Sequence, residues 1–533
     1  MNTICHSERG VFARQESKPR SSLSPGRLSE GHDFNPAILA LITRALAPEG
    51  RLLGGLLLSV CLFASIANSQ TPQRPAGQAI AIRGGKLLTI THGVIENGVL
   101  IMENGKITAV GPAASVRIPR NARAIDATGM TIYPGLIDSE SQLGLTEISS
   151  ENTTNDLVET SDEIMPHMHV ADAFHAESEL IPVTRLNGIT NAVVAPQARD
   201  TLPGQDAFVQ LDGRNAEDML LLRDLALPLN FTAAQRRRPG APGEEAPSPG
   251  ERLRFPSTRM GMAAQLRQAF IDAQEYAQRV SDYQKRHPQK APASGSPSAT
   301  LTPGGGFDTA QEPEPGEQPQ ERGERGERGG ERPGGPPRRN LKLEALLPYL
   351  QGKKPVVVAA EEPNDLEIAV GLAREFNLKI VINHISHSQR ILDQVAALKV
   401  PVIVGPIYEN PKDYERYDAV FRLPAELCRR GVKIAFASYT AHDARNLPYQ
   451  AGYAVAFGLP YEEALKAITI NPAQIWGAAD RLGSLDVGKT ANLVVANGDP
   501  LDVKTDVKRV FIAGRELPMS TRQTRLRDEY MTK

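Results

Sequence analysis

The chain has 533 residues, with 60 Lys and Arg against 62 Asp and Glu and a formal net charge of −2. That balance gives no global pull toward nucleic acid or an anionic membrane surface, and the length leaves room for more than one domain, since single cores stop growing at about 250–300 residues. Of the three cysteines, Cys5 and Cys61 fall in or before the leader described next; with that leader removed, Cys428 stands alone and no disulfide framework is possible.

Residues 1–50 are polar and unpatterned, rich in Ser, Arg and Pro, and read as an unstructured leader or an over-extended gene start. Residues 52–67 (LLGGLLLSVCLFASIA) follow Arg51 and run into the small residues Ala67-Asn68-Ser69. A basic flank, an apolar stretch and a small-residue site make a signal peptide over 51–69, and the stretch is short for a membrane span. Export to a periplasmic or extracellular compartment is expected, with no stable membrane span; an uncleaved anchor is the alternative.

Residues 78–126 read as short strands at 79–82, 87–89, 98–103 and 106–110. Asn97-Gly98 and Asn104-Gly105 punctuate them, because Asn-Gly tolerates the positive φ of tight hairpin turns. Further on, apolar runs alternate with helical periodicity. Strands are expected at 131–137, 191–195, 207–211, 355–359, 379–383, 400–404 and 432–437, with an eighth within 219–229. Helices are expected at 341–350, 364–376, 388–398, 423–430, 447–458 and 461–468. Eight parallel strands alternating with helices make a (β/α)8 TIM-like barrel, an α/β fold whose working end is the C-terminal edge of its strands.

The span 233–340 interrupts this pattern. Its 236–256 and 288–339 stretches are dense in Pro, Gly, Glu, Arg and Ser, too polar to offset chain entropy, and are expected to be disordered. Between them, Met262, Leu266, Phe270, Ala273 and Tyr276 recur at helical spacing and predict one helix over 260–286. The interleaved glutamates cancel the charge of the Arg-Gly repeats, so no nucleic-acid partner is expected.

An apolar strand ending in Tyr133-Pro134-Gly135-Leu136-Ile137-Asp138 resembles the first barrel strand of the amidohydrolase superfamily, imidazolonepropionase-like metal-dependent hydrolases of amides, lactams and related C–N bonds. The closing run Gly483 to Val495, followed by Gly498-Asp499-Pro500-Leu501 and a strand at 507–512, is similar to that family's closing pattern. The resemblance implies a small β-sandwich built from both ends of the chain, 78–130 and 478–518, around a barrel of 131–232 and 341–477. Asn471-Pro472-Ala473 resembles the packing hinge between the two.

It also implies where a metal centre belongs. The family's first strand continues into His-x-His, and here those positions are Glu140 and Gln142. An alanine, Ala359 or Ala360, stands where the family has its fifth-strand histidine, and Tyr439 stands where it has its eighth-strand aspartate. His384 keeps the imidazole expected after the sixth strand. No lysine occurs within 219–229 to bridge two ions. The family's binuclear site is therefore not expected; a single divalent ion, zinc by analogy, held by His384 and Glu140, is the remaining possibility. Asp443 and Glu361 are the candidate general bases. All three carboxylates also read as ordinary solvated loop residues. His167-Met168-His169 has ligand spacing but reads as a loop running into a helix. The function implied is hydrolysis of a non-peptide C–N bond in a small amide or lactam-type substrate. The alternative is a non-catalytic relative that binds a small molecule or a partner subunit.

Overall fold

The computed structural model describes residues 78–159, 161–231, 256, 258–287, 336–359, 362–385, 391–410 and 416–532. The leader, the 52–67 segment, residues 236–255 and 288–335, and Glu361 lie outside the described residues.

The first strands are β1 (Ile80–Leu88), β2 (Val94–Glu103), β3 (Lys106–Pro112), β4 (Arg123–Asp126) and β5 (Thr131–Pro134). The two short strands expected at 79–82 and 87–89 are one strand, β1, irregular around Gly85. Asn104-Gly105 makes the β2–β3 turn, with φ of 51° and 79°. Asn97-Gly98 does not: it sits inside β2, where Gly98 pairs with Gly85 across the irregularity. The positive φ of Asn97, 46°, thus serves a kink rather than a hairpin.

The expected strand 131–137 is two strands, broken at Gly135. Beyond it run β6 (Leu136–Ser141), β7 (Ile189–Val194), β8 (Ala207–Gln210) and β9 (Leu220–Leu222), which form one sheet. A second sheet is fully parallel: β10 (Leu227–Asn230), β11 (Val356–Ala359), β12 (Ile380–Asn383), β13 (Val402–Val404) and β14 (Ile434–Phe436). The expectation of eight parallel strands is corrected at β8, which runs antiparallel to both β7 and β9. The link from β7 to β8 has no helix long enough for a crossover, so the chain folds back as a hairpin. The parallel strand expected within 219–229 is β10, displaced toward Asn230.

Backbone hydrogen bonds bridge the two sheets on both sides. Asp206 N–H donates to the Ala226 carbonyl at 3.0 Å, and Tyr439 N–H donates to the Glu140 carbonyl at 2.9 Å. Ile137, Val193, Phe208, Val357, Val381, Ile403 and Ala435, each from a different strand, pack in one buried cluster between the sheets. The alternate residues, among them Leu136, Val194, Val358, Ile382, Val404 and Phe436, pack against the helices. Burial on both faces is why these strands read as unbroken apolar runs.

Besides short helical turns before it, the helices from the insertion onward are α1 (Arg259–Arg286), α2 (Leu341–Leu350), α3 (Pro363–Phe376), α4 (Leu392–Leu398), α5 (Ala419–Arg429), α6 (Leu447–Ala456), α7 (Tyr461–Ala467), α8 (Ile470–Ile475) and α9 (Arg522–Met531). Helix α1 is capped by Thr258, whose hydroxyl accepts from Gly261 N–H at 3.1 Å. It buries Met262, Leu266, Phe270, Ala273 and Tyr276. Phe270 packs edge-on against Phe376 of α3 with centroids 5.0 Å apart, and Tyr276 donates to Glu344 of α2 at 2.8 Å. The helix inside the low-complexity span is therefore part of the packed body. No helix among the described residues is long and apolar enough to cross a membrane.

The chain returns to the first sheet through β15 (Leu493–Ala496), β16 (Val507–Ile512) and β17 (Arg515–Glu516), giving eight strands in one sheet. β15 pairs antiparallel with β5 and with β16. Leu493 and Val495 join the core of this sheet with Ile82, Leu100 and Phe511, while Val494 and Ala496 join the main core.

Candidate active site

A cavity of about 350 Å³ opens at the C-terminal ends of the parallel strands, lined by Glu140, Gln142, Gln197, His384, Glu409 and Tyr439 among others. Glu140 arrives on β6, whose pairing with β7 shifts register between Asp138 and Ser141. His384 follows the last residue of β12 with a φ of +50°, an unusual backbone state for a non-glycine residue that turns the chain sharply at the strand end.

Glu140 and His384 meet there. Glu140 Oε1 lies 3.5 Å from His384 Nε2, and Glu140 Oε2 accepts from Asn383 Nδ2 at 2.6 Å. Tyr439, with a φ of +59°, packs its ring on the His384 imidazole at 4.1 Å. Its hydroxyl accepts from His384 N–H at 3.3 Å and donates to the Ile403 carbonyl at 3.3 Å. Burial, then the charge of Glu140, pushes the phenol well above its ordinary range, so it stays a neutral hydroxyl.

Asp138 supports the pair from beneath. Its carboxylate accepts from Ser438 N–H at 3.0 Å and from Ser438 Oγ at 2.5 Å, which ties β6 to the end of β14. Burial pushes its carboxyl up to about 7 despite these donors. Asp206 is 2% exposed, its Oδ1 has no partner, and burial pushes its carboxyl well above the ordinary range, with the charge of Glu140 adding to the shift.

Of the residues singled out from sequence, the structure brings Glu140 and His384 together. It places Asp443 on the exposed side of its loop, outside the cavity lining. There Thr440 Oγ1 donates to Asp443 Oδ2 at 3.1 Å and Asn446 Nδ2 donates to Oδ1 at 3.2 Å. Glu361 lies outside the described residues. His169 immediately precedes a short helix, and its Nδ1 pairs with Asp224 at 2.7 Å, away from the cavity. Asn383, Ser438 and Glu409 were missed. Asn383 had a readable signal: it is the last strand residue before His384, where an inward side chain meets whatever β6 presents.

An amidohydrolase family model matches residues 431–518. The chain is 26% identical over 428 residues to an amidohydrolase of Hapsidospora irregularis, covering 78% of this chain and 39% of that protein. It is 24% identical over 214 residues to an adenine deaminase of Listeria monocytogenes, covering 38% of this chain and 31% of that one. It thus spans well under half the length of either curated relative. The crystal structure of an amidohydrolase from Thermotoga maritima superimposes with a TM-score of 0.66 at 26% identity, over 82% of this chain and 99% of that one. The mixed α/β architecture, the strand-end cavity and these likenesses define one class. The chain is similar in sequence and in fold to proteins of the amidohydrolase superfamily.

Members of that superfamily typically depend on metal ions. The residues present fit such an ion poorly. Glu140 and His384 offer one carboxylate and one imidazole, but Gln142 brings only a neutral amide and Tyr439 a phenol held neutral. Among the described residues no three His, Cys, Asp or Glu side chains gather as a metal-holding group. A catalytic zinc site takes three protein ligands plus a water.

Proposed function

We propose that the protein hydrolyses a non-peptide C–N bond of a small amide or lactam-type substrate in the cavity beside Glu140 and His384. The Glu140–His384 pair at the strand ends carries this reading. A carboxylate 3.5 Å from an imidazole supplies a base and an acid within reach of one bound molecule. Glu140 Oε1 takes a proton from water as its oxygen adds to the carbonyl carbon; as the C–N bond of the adduct breaks, the protonated His384 Nε2 gives its proton to the departing nitrogen, and Glu140 returns its proton to His384 across the 3.5 Å between them. Asn383 fixes the second carboxylate oxygen, so Glu140 presents one oxygen in a defined direction.

The two bridged sheets are read here as the wall of a barrel, with the eight-stranded sheet as a flanking sandwich. The basic-flanked apolar segment at 52–67 supports export. A divalent ion between His384 and Glu140, zinc by analogy, remains part of the proposal. The donor set supports no reaction step through it.

The test is metal analysis of the purified protein together with a hydrolysis screen over dipeptides, lactams and hydantoins. Turnover that falls at least a hundredfold in both Glu140→Gln and His384→Ala supports the proposal. Stoichiometric metal lost in His384→Ala adds the ion. A second reading is favoured by the small donor set: a relative that binds a small molecule or partner without turnover. It prevails if no substrate class is hydrolysed by protein that carries no metal and is unaffected by added zinc.

A further inference from the structure

Three strand ends meet at the cavity, and each is tied to the other two. Glu140 on β6 accepts from Asn383 at the end of β12. The N–H of His384, one residue on, donates to the hydroxyl of Tyr439, which lies just beyond β14. Tyr439 N–H donates in turn to the Glu140 carbonyl. A fourth tie, between Ser438 and Asp138, joins β14 to β6 without using either member of the acid–base pair, and neither of its residues lines the cavity.

Ser438 makes this fourth tie with two donors. Its N–H reaches Asp138 Oδ1 at 3.0 Å and its Oγ reaches Oδ2 at 2.5 Å. Both residues are 0% exposed, so water does not compete for either donor, and a bond left unmade here strands a buried polar group. Asp138 Oδ1 also accepts the Glu140 N–H, more weakly, at 3.4 Å.

What the tie holds is the backbone of the next residue. Tyr439 has a φ of +59° and His384 one of +50°, the left-handed region that residues other than glycine avoid. Such a state persists only where its surroundings fix it. Tyr439 is fixed from both sides. Before it, Ser438 is anchored on Asp138; after it, the Thr440 carbonyl accepts from Ser141 Oγ at 3.3 Å and lies 3.1 Å from Ser438 Oγ. In this state the Tyr439 ring covers the His384 imidazole, with centroids 4.1 Å apart, and its hydroxyl meets the His384 N–H. Relaxation of Tyr439 to a negative φ would swing the ring off the imidazole.

We infer that Ser438 is the positioning residue of this site: its grip on Asp138 holds Tyr439 in the left-handed state that keeps the His384 imidazole facing Glu140. The placement is read from the geometry; that it serves catalysis rests on the hydrolase reading above. The whole protein is compared with Ser438→Ala, which removes the hydroxyl, and Ser438→Thr, which restores it, on whichever dipeptide, lactam or hydantoin it hydrolyses fastest. Ser438→Ala is expected to lower kcat at least about tenfold with KM within about twofold, and Ser438→Thr to bring kcat back to within about threefold of the parent. A crystal structure of Ser438→Ala gives a readout that needs no turnover: Tyr439 takes a negative φ and its ring leaves His384. Asp138→Asn, of the same size, supplies both comparisons should Ser438→Ala not fold. A kcat unchanged in Ser438→Ala overturns the inference, as does a loss that falls in KM instead. So does a variant structure in which the φ of Tyr439 and its stacking on His384 stay as they are. The hydrolase reading fails separately: a parent protein that hydrolyses none of these compounds removes the reaction, while the structure of the variant still decides the placement.

Discussion

The backbone N–H of Tyr439 donates to the carbonyl oxygen of Glu140 at 2.9 Å, while the hydroxyl of the same tyrosine accepts the backbone N–H of His384. One residue at the end of β14 therefore holds the backbones of both members of the acid–base pair. Tyr439→Phe keeps the ring and the link to Glu140 but removes the acceptor for His384 and the donor to Ile403. Such unmade hydrogen bonds cost about 1–3 kcal/mol when buried. The expected outcome is a modest loss in urea unfolding, with a larger fall in kcat than the stability change predicts and little change in KM.

The contribution of Asp138 and Asp206 to stability should fall as pH rises from about 4 toward 7. Asp138 and Asp206 both have folded-state carboxyl groups raised by burial, Asp138 to about 7. Between the ordinary carboxylate value and the raised one, the folded state holds more protons than the unfolded state. Protonation thus favours folding at the acid end, and this contribution is lost on the way up. Asp206→Asn, uncharged at every pH, should flatten the slope of unfolding free energy against pH over that window. A slope unchanged in both Asp206→Asn and Asp138→Asn contradicts the assignment.

Arg259 ties the long helix α1 to the N-terminus of α3 through an ion pair with Asp365, which is 0% exposed. Arg259→Ala leaves that carboxylate buried without its cation. Losing one partner of a buried pair costs about 3–5 kcal/mol, and the low end is expected because Arg259 keeps some solvent. The measurement is the midpoint of thermal unfolding, with proteolysis near residues 256–260 as an independent sign of α1 detaching.

Gly135→Ala should destabilise through steric overlap alone. An added Cβ would lie 2.2 Å from Thr190 Oγ1 and 2.4 Å from its methyl. Overpacking of this kind typically costs about 1–3 kcal/mol. Thr190→Ala in the same chain removes the two nearest atoms and should recover part of the loss in denaturant unfolding.

Much of the architecture was legible because burial on both faces writes strands as apolar runs: β7, β11, β12, β13 and β14 fall within a few residues of expectation. The reversal at β8 was not. Ala207–Gln210 is as apolar as its parallel neighbours, and composition carries no sign of strand direction. Asn97-Gly98 misled for a related reason, since the positive φ that suits a turn equally suits a kink within a strand. At the site, the family resemblance points to Glu140 and His384, and the structure brings the two side chains to 3.5 Å of each other. Asp443 is a candidate general base in the sequence, yet Thr440 and Asn446 hold its oxygens within the loop. Such short-range capping depends on side-chain direction, which spacing does not encode.

The insertion of β15 between β5 and β16 has a consequence for biosynthesis. Thr131–Pro134 are made early and meet Leu493–Ala496 only after more than three hundred intervening residues have left the ribosome. Until then β5 presents an open edge, the kind of surface on which chains stick to one another. Loop closure over so long a span slows assembly, so nascent or truncated chains ending before Leu493 should depend on chaperones in a way the finished protein does not.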